Sequence, residues 1–177
     1  MCVLELPRDS LLLQAGQDSK SIYLVEQGLL RLFYTTPEGK ERNKAFYGSG
    51  DITGAVSAAM TGGPAPFSIQ ALAPSVLIQA DFQGLSQHAP QFPQFSRLVI
   101  KLLSEAFMRN EQREALLLTC NAEQRYRWLL EHQPELVQLI PQFHIASYLG
   151  VDAVSLSRLK RKLEDGTDSG IAPGTCP

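Results

Sequence analysis

The stretch Gln142–Leu163, QFHIASYLGVDAVSLSRLKRKL, reads as a short helix, a glycine turn and a second helix. Ile145, Ala146 and Leu149 set apolar side chains on one face at helical spacing. Gly150 can take a positive φ without steric cost, as a tight turn between helices needs. Asp152 is placed to cap the next helix, its carboxylate accepting from the first free amides. Val154, Leu156, Leu159 and Leu163 are expected to form the apolar side of that second helix, with Ser155, Arg158, Lys160, Arg161 and Lys162 outward or flanking it. Ala146 lies four residues before Gly150, and Leu156 six after it. Two helices that cross steeply need a small residue where they touch, a glycine where they turn and an aliphatic residue where the second packs back. These three positions supply them, and the outward hydroxyls and cations suit base edges and phosphates. From this stretch alone, the other reading is an ordinary helical hairpin with a solvated basic face.

Upstream, Ala122 to Gln133 has helical spacing, with Tyr126, Leu129 and Leu130 expected inward and Arg125 and Arg127 toward solvent. Pro134 starts a short turn. Gln94 to about Leu118 reads as one long helix, with Phe95, Leu98, Val99, Leu102, Leu103, Ala106, Phe107, Leu116 and Leu117 near helical spacing. Its uses are packing on its own domain or pairing with its copy in a homodimer. Gln83 to Pro93 reads as a hinge-like passage, and Thr119-Cys120-Asn121 ends or kinks the long helix. The tail from residue 165 is polar and unpatterned, which predicts disorder.

Residues 3 to 81 read as β, with short apolar runs punctuated by Gly, Pro and Asp. The expected strands are Val3–Leu6, Leu11–Gln14, Ile22–Val25, Leu29–Tyr34, Arg42–Tyr47, Phe67–Leu72 and Val76–Ala80. Leu30, Leu32 and Tyr34 alternate with Arg31, Phe33 and Thr35, the pattern of a two-faced strand, and Thr36–Gly39 is a hairpin turn. Ile52 to Met60 is small and helix-compatible, and Thr61–Pro66 is a loop. The whole is an α+β chain: an N-terminal double-sheet jelly roll over residues 1–92, a long connecting helix over 93–119, a helix-turn-helix domain over 120–164 and a disordered tail over 165–177.

Composition narrows the function. A hydrophobic content of 44% and a charged content of 19% are those of a soluble globular protein, and no apolar run approaches a membrane span or a signal peptide, so a cytoplasmic location is expected. The net charge of −2 means that any DNA affinity must be local, and Arg158 to Lys162 is the densest cationic cluster. Cys2, Cys120 and Cys176 are far apart without metal-ligand spacing, which argues for a reducing compartment and against a disulfide framework or metal cluster. Residues 1 to 81 contain no histidine, which argues against a cupin-type enzyme, and no hydrolase motif is present; the expectation is that the chain is not an enzyme.

Three segments resemble the Crp/Fnr (catabolite-activator-like) family of bacterial transcription regulators. IYLVEQGLLRLFY with GSGDITG is similar to the strand–Gly–strand and Gly-Asp-x-x-Gly pattern of cyclic-nucleotide-binding-like rolls. AEQRYRWLLEHQPELVQLIP is similar to the family's linker helix and the turn after it, and FHIASYLGVDAVSLSRLKRKL to its helix-turn-helix. The resemblance implies a homodimer through residues 94–118, double-stranded DNA with a pseudo-palindromic site as partner, and RNA polymerase as a further candidate partner. It implies an effector pocket at Gly54, Ala55, Val56, Ala65, Pro66 and Phe67. It implies DNA contacts from Ser155, Ser157, Arg158, Lys160, Arg161 and Lys162, with Arg158 at the position that reaches a guanine. It also implies a helix before the roll and a β-hairpin after the second helix, neither of which is legible here.

Departures from the family pattern bear on the ligand. Members that bind cyclic AMP carry a Glu after the second Gly of Gly-Asp-x-x-Gly and, about ten residues on, an Arg followed by a small hydroxylated residue. Ala55, Ala65 and Pro66 stand at those places, so cyclic AMP is not expected to be the effector and no cofactor is expected. The cysteine cluster of the redox-sensing branch is absent, and His88, His132 and His144 all lie outside the roll, where a haem would want its ligands. Many members place an acidic residue where this chain has Val154. The expected function is a sequence-specific DNA-binding regulator; the alternative is an effector-binding or protein-interaction module whose helix-turn-helix no longer binds DNA.

Overall fold

The computed structural model describes residues 1–88 and 91–164. The disordered tail expected from residue 165 lies outside the described residues. The chain divides into two compact units, Met1–Ser104 and a second beginning at Glu105, so the boundary falls within the long helix.

In the first unit, eight strands run β1 Cys2–Leu6, β2 Leu11–Leu13, β3 Ser21–Gln27, β4 Leu29–Thr35, β5 Glu41–Gly48, β6 Ile52–Gly54, β7 Ser68–Ala71 and β8 Ser75–Asp81. They form two four-stranded sheets, ordered β1-β8-β3-β6 and β2-β7-β4-β5, and every pairing is antiparallel. This is the double-sheet jelly roll that the punctuated apolar runs predict. Helices α1 Val56–Thr61 and α2 Phe82–His88 interrupt and follow the strands. The core between the sheets gathers Tyr23, Val25, Leu30, Leu32, Ala45, Tyr47, Ile69 and Leu77, the inward-facing residues of alternating strands.

The alternation in β4 is present, but both of its faces are covered. Leu30 and Leu32 enter the core, while Arg31 and Phe33 on the opposite face are also buried. The Arg31 guanidinium lies 4.0 Å from the Phe33 ring centroid. Its Nε donates to Gln70 Oε1 at 2.8 Å, its Nη1 donates to Asn43 Oδ1 at 3.2 Å, and it pairs with Glu41. A cation can stay buried there because its donors reach a carboxylate and two amide oxygens.

Three sequence expectations need correction in or beside this unit. Ile52–Gly54 is not helical; it is a short strand paired with β3, and the helix starts only at Val56. Gly54 permits this close pairing, because at its φ of +154° a Cβ would come within 2.8 Å of the Ser21 carbonyl oxygen. Most of the hinge-like passage is α2, whose Phe82 is buried. In the second unit the chain after Pro134 is helix α5 Pro134–Leu139, with the proline in the first turn where its missing N–H costs nothing.

Helix α3, Pro93–Thr119, is continuous across the unit boundary. Its apolar residues divide between two sides: Leu116 is buried, whereas Ile100, Leu103, Phe107, Met108 and Leu118 are exposed. α4 Ala122–His132 begins with a capping box: the Asn121 side chain accepts from the Gln124 N–H, and Gln124 accepts from the Asn121 N–H. Tyr126 and Leu129 point inward as expected; Trp128, not Leu130, is the third buried residue, with His132 stacked on it at 4.6 Å. Cys120, just after α3, is buried.

Candidate nucleic-acid interface

Two short helices make the turn. α6 is Gln142–Leu149 and α7 is Ala153–Glu164. Their interface is apolar: Ile145, Ala146, Leu149 and Leu156 are all buried, Leu156 at 1% exposure. The three positions singled out by spacing therefore do what steep crossing requires.

Gly150 closes α6 in the left-handed conformation, at φ +71° and ψ 28°. The Gly150 N–H donates to Ser147 O at 3.2 Å and the Val151 N–H to Ala146 O at 3.0 Å. This pair of bonds is the Schellman pattern, which satisfies carbonyls that a helix end leaves open. A Cβ at Gly150 would also lie 3.3 Å from Arg125 Nη1 and 3.4 Å from Leu117 Cδ2.

Asp152 caps α7 as expected. Its Oδ1 accepts from the Ser155 N–H at 2.7 Å and its Oδ2 accepts from the Ser155 hydroxyl at 2.9 Å. These two bonds from Ser155 hold the Asp152 carboxyl below its ordinary range, the backbone bond being the larger cause. Ser155 is thereby drawn into the cap, a geometry its sequence position did not reveal.

The outward side of α7 is a stripe of Ala153, Val154, Ser157, Arg158 and Arg161, which line an open concavity of about 380 Å³. Val154 is 60% exposed, which corrects its assignment to the apolar side of the helix. The reason is angular: at about 100° per residue, Val154 lies some 160° around the helix from Leu156, whereas Leu159 and Leu163 return to the Leu156 side. Of the six residues expected to meet DNA, Ser157, Arg158 and Arg161 share this exposed stripe, Lys160 is half-buried, and Ser155 serves the cap. Lys162 donates to Glu123 Oε2 at 2.9 Å, and Glu123 also takes Arg127 at 3.1 Å. These two cations hold the Glu123 carboxyl below the usual range, Lys162 being the larger influence. His144 is buried, with its ring centroid 4.0 Å from that of Phe143.

The residues expected to form an effector pocket sit around α1. Ala55, Ala65 and Phe67 are buried in the roll's core. The Ala65 backbone is engaged with the preceding loop, its N–H donating to Gln17 O and its carbonyl accepting from the Gly16 N–H, each at 2.8 Å. Gly54, Val56 and Pro66 flank them, so all six are aliphatic, aromatic or glycine, and none offers a charge to a phosphate. Asp51 of the Gly-Asp-x-x-Gly pattern is structural: its Oδ2 accepts from the Gly48 N–H at 2.8 Å and closes the turn into β6. Among the described residues no cluster of His, Cys, Asp and Glu could hold a metal ion, and no helix is long and apolar enough to cross a membrane.

Residues 3–89 match the cyclic nucleotide-binding domain. The chain is 26% identical over 159 residues to the fumarate and nitrate reduction regulatory protein of Vibrio cholerae, and 27% identical over the same length to that of Yersinia pestis. Each alignment covers 84% of this chain and 63% of the relative. Through this domain and these relatives the chain is similar to regulators of the Crp/Fnr family. Solved structures share its fold: FixK2 from Bradyrhizobium japonicum aligns with a TM-score of 0.80 at 19% identity, over 99% of this chain and 89% of that one. A CooA variant from Carboxydothermus hydrogenoformans aligns with a TM-score of 0.76 at 18% identity, over 93% and 77%. The chain spans about 63% of the length of the curated relatives it matches. Its stripe on α7 falls within the segment whose sequence resembles the family's helix-turn-helix, with Val154 where many members are acidic.

Proposed function

We propose that the chain is a sequence-specific DNA-binding transcription regulator that acts as a homodimer and does not respond to cyclic AMP. The observation that carries this reading is the exposed stripe of α7, where Ser157, Arg158 and Arg161 lie on one side of a helix held by a Schellman turn and a carboxylate cap. A rigid helix presenting a hydroxyl and two guanidinium groups has the width and donors that a major groove accepts. Arg158 reads a guanine, and Arg161 with Lys160 meets phosphate. Lys162 is tied to Glu123 and serves chiefly to hold α7 against α4.

The dimer reading rests on α3, where Ile100, Leu103 and Phe107 are exposed at spacings of three and four residues, the spacing of a coiled-coil seam. Against cyclic AMP stand Ala55 and Ala65, two buried methyl groups where the resemblance wants a ribose acceptor and a phosphate cation. The domain plan that goes with this function is an effector-type roll over 1–92, a connecting helix over 93–119 and a DNA-binding segment over 120–164. A cytoplasmic location follows from the function.

The test is selection from a randomised duplex pool across a salt series. An enriched palindrome with half-sites about one helical turn apart, lost steeply with salt, supports a dimeric regulator. Retention without enrichment, or none at low salt, would favour the second reading, an interaction module; the overall charge of −2 is the observation on that side.

A further inference from the structure

Val154 is an aliphatic side chain standing in solvent on a functional face. A single exposed aliphatic residue is ordinary on a protein surface and carries nothing by itself. Its neighbours give it meaning. Ser157 and Arg158 follow it at three and four residues, the spacing that puts side chains side by side on a helix, and all three line the same open concavity. The other aliphatic residues of α7 have left this face: Leu156 is fully buried, and Leu159 and Leu163 are half-buried. Among the described residues none packs Val154 into a core, and its exposure sits at the N-terminal end of the helix, the end that meets base edges in a helix-turn-helix.

In the major groove the one hydrocarbon group that a base presents is the methyl on pyrimidine C5. A valine can neither accept from an amino group of cytosine or adenine nor donate to the acceptors of guanine. Set against those edges it would strip water from a polar group and return no hydrogen bond. Against a C5-methyl it buries apolar surface on both sides. Val154 and Arg158 are separated along the helix axis by roughly 6 Å, about two base steps of ~3.4 Å. The methyl it meets must therefore lie close to the guanine that Arg158 holds.

We infer that Val154 is a specificity-determining residue that reads the C5-methyl group of a pyrimidine, one or two base pairs from the guanine read by Arg158. This rests on the proposed DNA reading by α7. Thymine and 5-methylcytosine both carry the group, and Ala153 beside Val154 widens the apolar surface without adding a polar atom.

The experiment uses the full chain and the duplex enriched from the random pool. Each thymine of the half-site is replaced in turn by deoxyuridine, which removes the methyl and leaves the hydrogen-bonding edge intact. The expected result is about a four-fold loss at one position within two base pairs of the guanine, the value of one buried methyl group. Val154→Ala should abolish that thymine-over-uracil preference while the guanine read by Arg158 is still required. Val154→Glu should move the preference to a base with an exposed amino group, a gain that misfolding cannot mimic. Replacing that base pair by cytosine or 5-methylcytosine separates the two sources: tighter binding of the methylated base means that the methyl is read on either pyrimidine, and equal binding of the two means that thymine alone is read. Uracil tolerated at every position, with guanine still required, overturns the inference and leaves the DNA reading standing. If no sequence is enriched, the DNA reading and this inference fall together.

Discussion

Lys162, in the last turn of α7, donates across 2.9 Å to Glu123, in the first turn of α4. Glu123 holds Arg127 at the same time, so one carboxylate joins two cations and two helices. Those cations keep its pKa below the ordinary carboxyl value. A depressed folded-state pKa means that the contribution is present above the unfolded value of ~4.3 and lost as pH falls through the folded one. Thermal melts between about pH 3 and 7 should therefore show the second unit losing stability on acidification, with Glu123→Gln less stable at neutral pH and flatter through the acid range. Equal acid sensitivity in both proteins would remove the bridge from the account.

Gly150→Val should break the turn. A β-branched side chain at φ +71° pays roughly 1–2 kcal/mol or more in backbone strain. It must also displace Arg125 and Leu117, which lie at 3.3 and 3.4 Å from the new Cβ. DNA binding is expected to vanish while the roll's own unfolding transition, followed by calorimetry, stays where it was. Gly150→Asn should be milder, because asparagine tolerates the left-handed region.

Arg158→Ala should cost about 1–3 kcal/mol of binding and relax the preference at one base pair, as the loss of a bidentate guanine contact does. Arg161→Ala should weaken all sequences alike and reduce the salt dependence of binding by about one unit of slope. Lys162→Ala should leave that slope nearly unchanged, because its ammonium is already paired with Glu123. Binding isotherms at several salt concentrations on matched and mismatched duplexes separate the three.

Phe107 is 63% exposed and Ile100 64% exposed on α3. Phe107→Asp should convert a dimer to a monomer in sedimentation equilibrium while the far-ultraviolet spectrum is kept. A wild-type chain that sediments as a monomer at tens of micromolar would end the dimer reading.

Cyclic AMP at millimolar concentration should leave the melting temperature where it is. A ligand raises stability in proportion to the logarithm of its concentration over its dissociation constant. Without the acidic residue and the arginine, binding is expected to be weaker by about a thousand-fold or more than in a responsive relative. A clear shift would mean that other groups of the roll hold the nucleotide.

Much of this was legible in the chain because the signals are local. Gly150 with Ala146 and Leu156 announces the crossing of two helices, and Asp152 announces a cap, since each acts on atoms a few residues away. The strands of the roll were readable from apolar runs between turn residues. Ile52–Gly54 was not, because three residues are too short to display a period and their strand state comes from pairing with Ile22, Tyr23 and Leu24.

The sequence by itself determined the order of roll, long helix and helix-turn-helix and the turn at Gly150, for which periodicity and residue chemistry suffice. That Ala55 and Ala65 stand where cyclic-AMP-binding members carry charged groups is what the family resemblance implies. Only the tertiary structure decided that Arg31 is buried among Gln70, Asn43 and Glu41, that Lys162 is held by Glu123, and that Val154 stands in solvent beside Arg158. Gln70 and Glu123 lie 39 residues along the chain from Arg31 and Lys162, Glu41 and Asn43 lie 10 and 12 from Arg31 on a paired strand, and Val154 is defined by which neighbours its helix turns toward. Such facts arise when separate elements pack, and no window of sequence contains them.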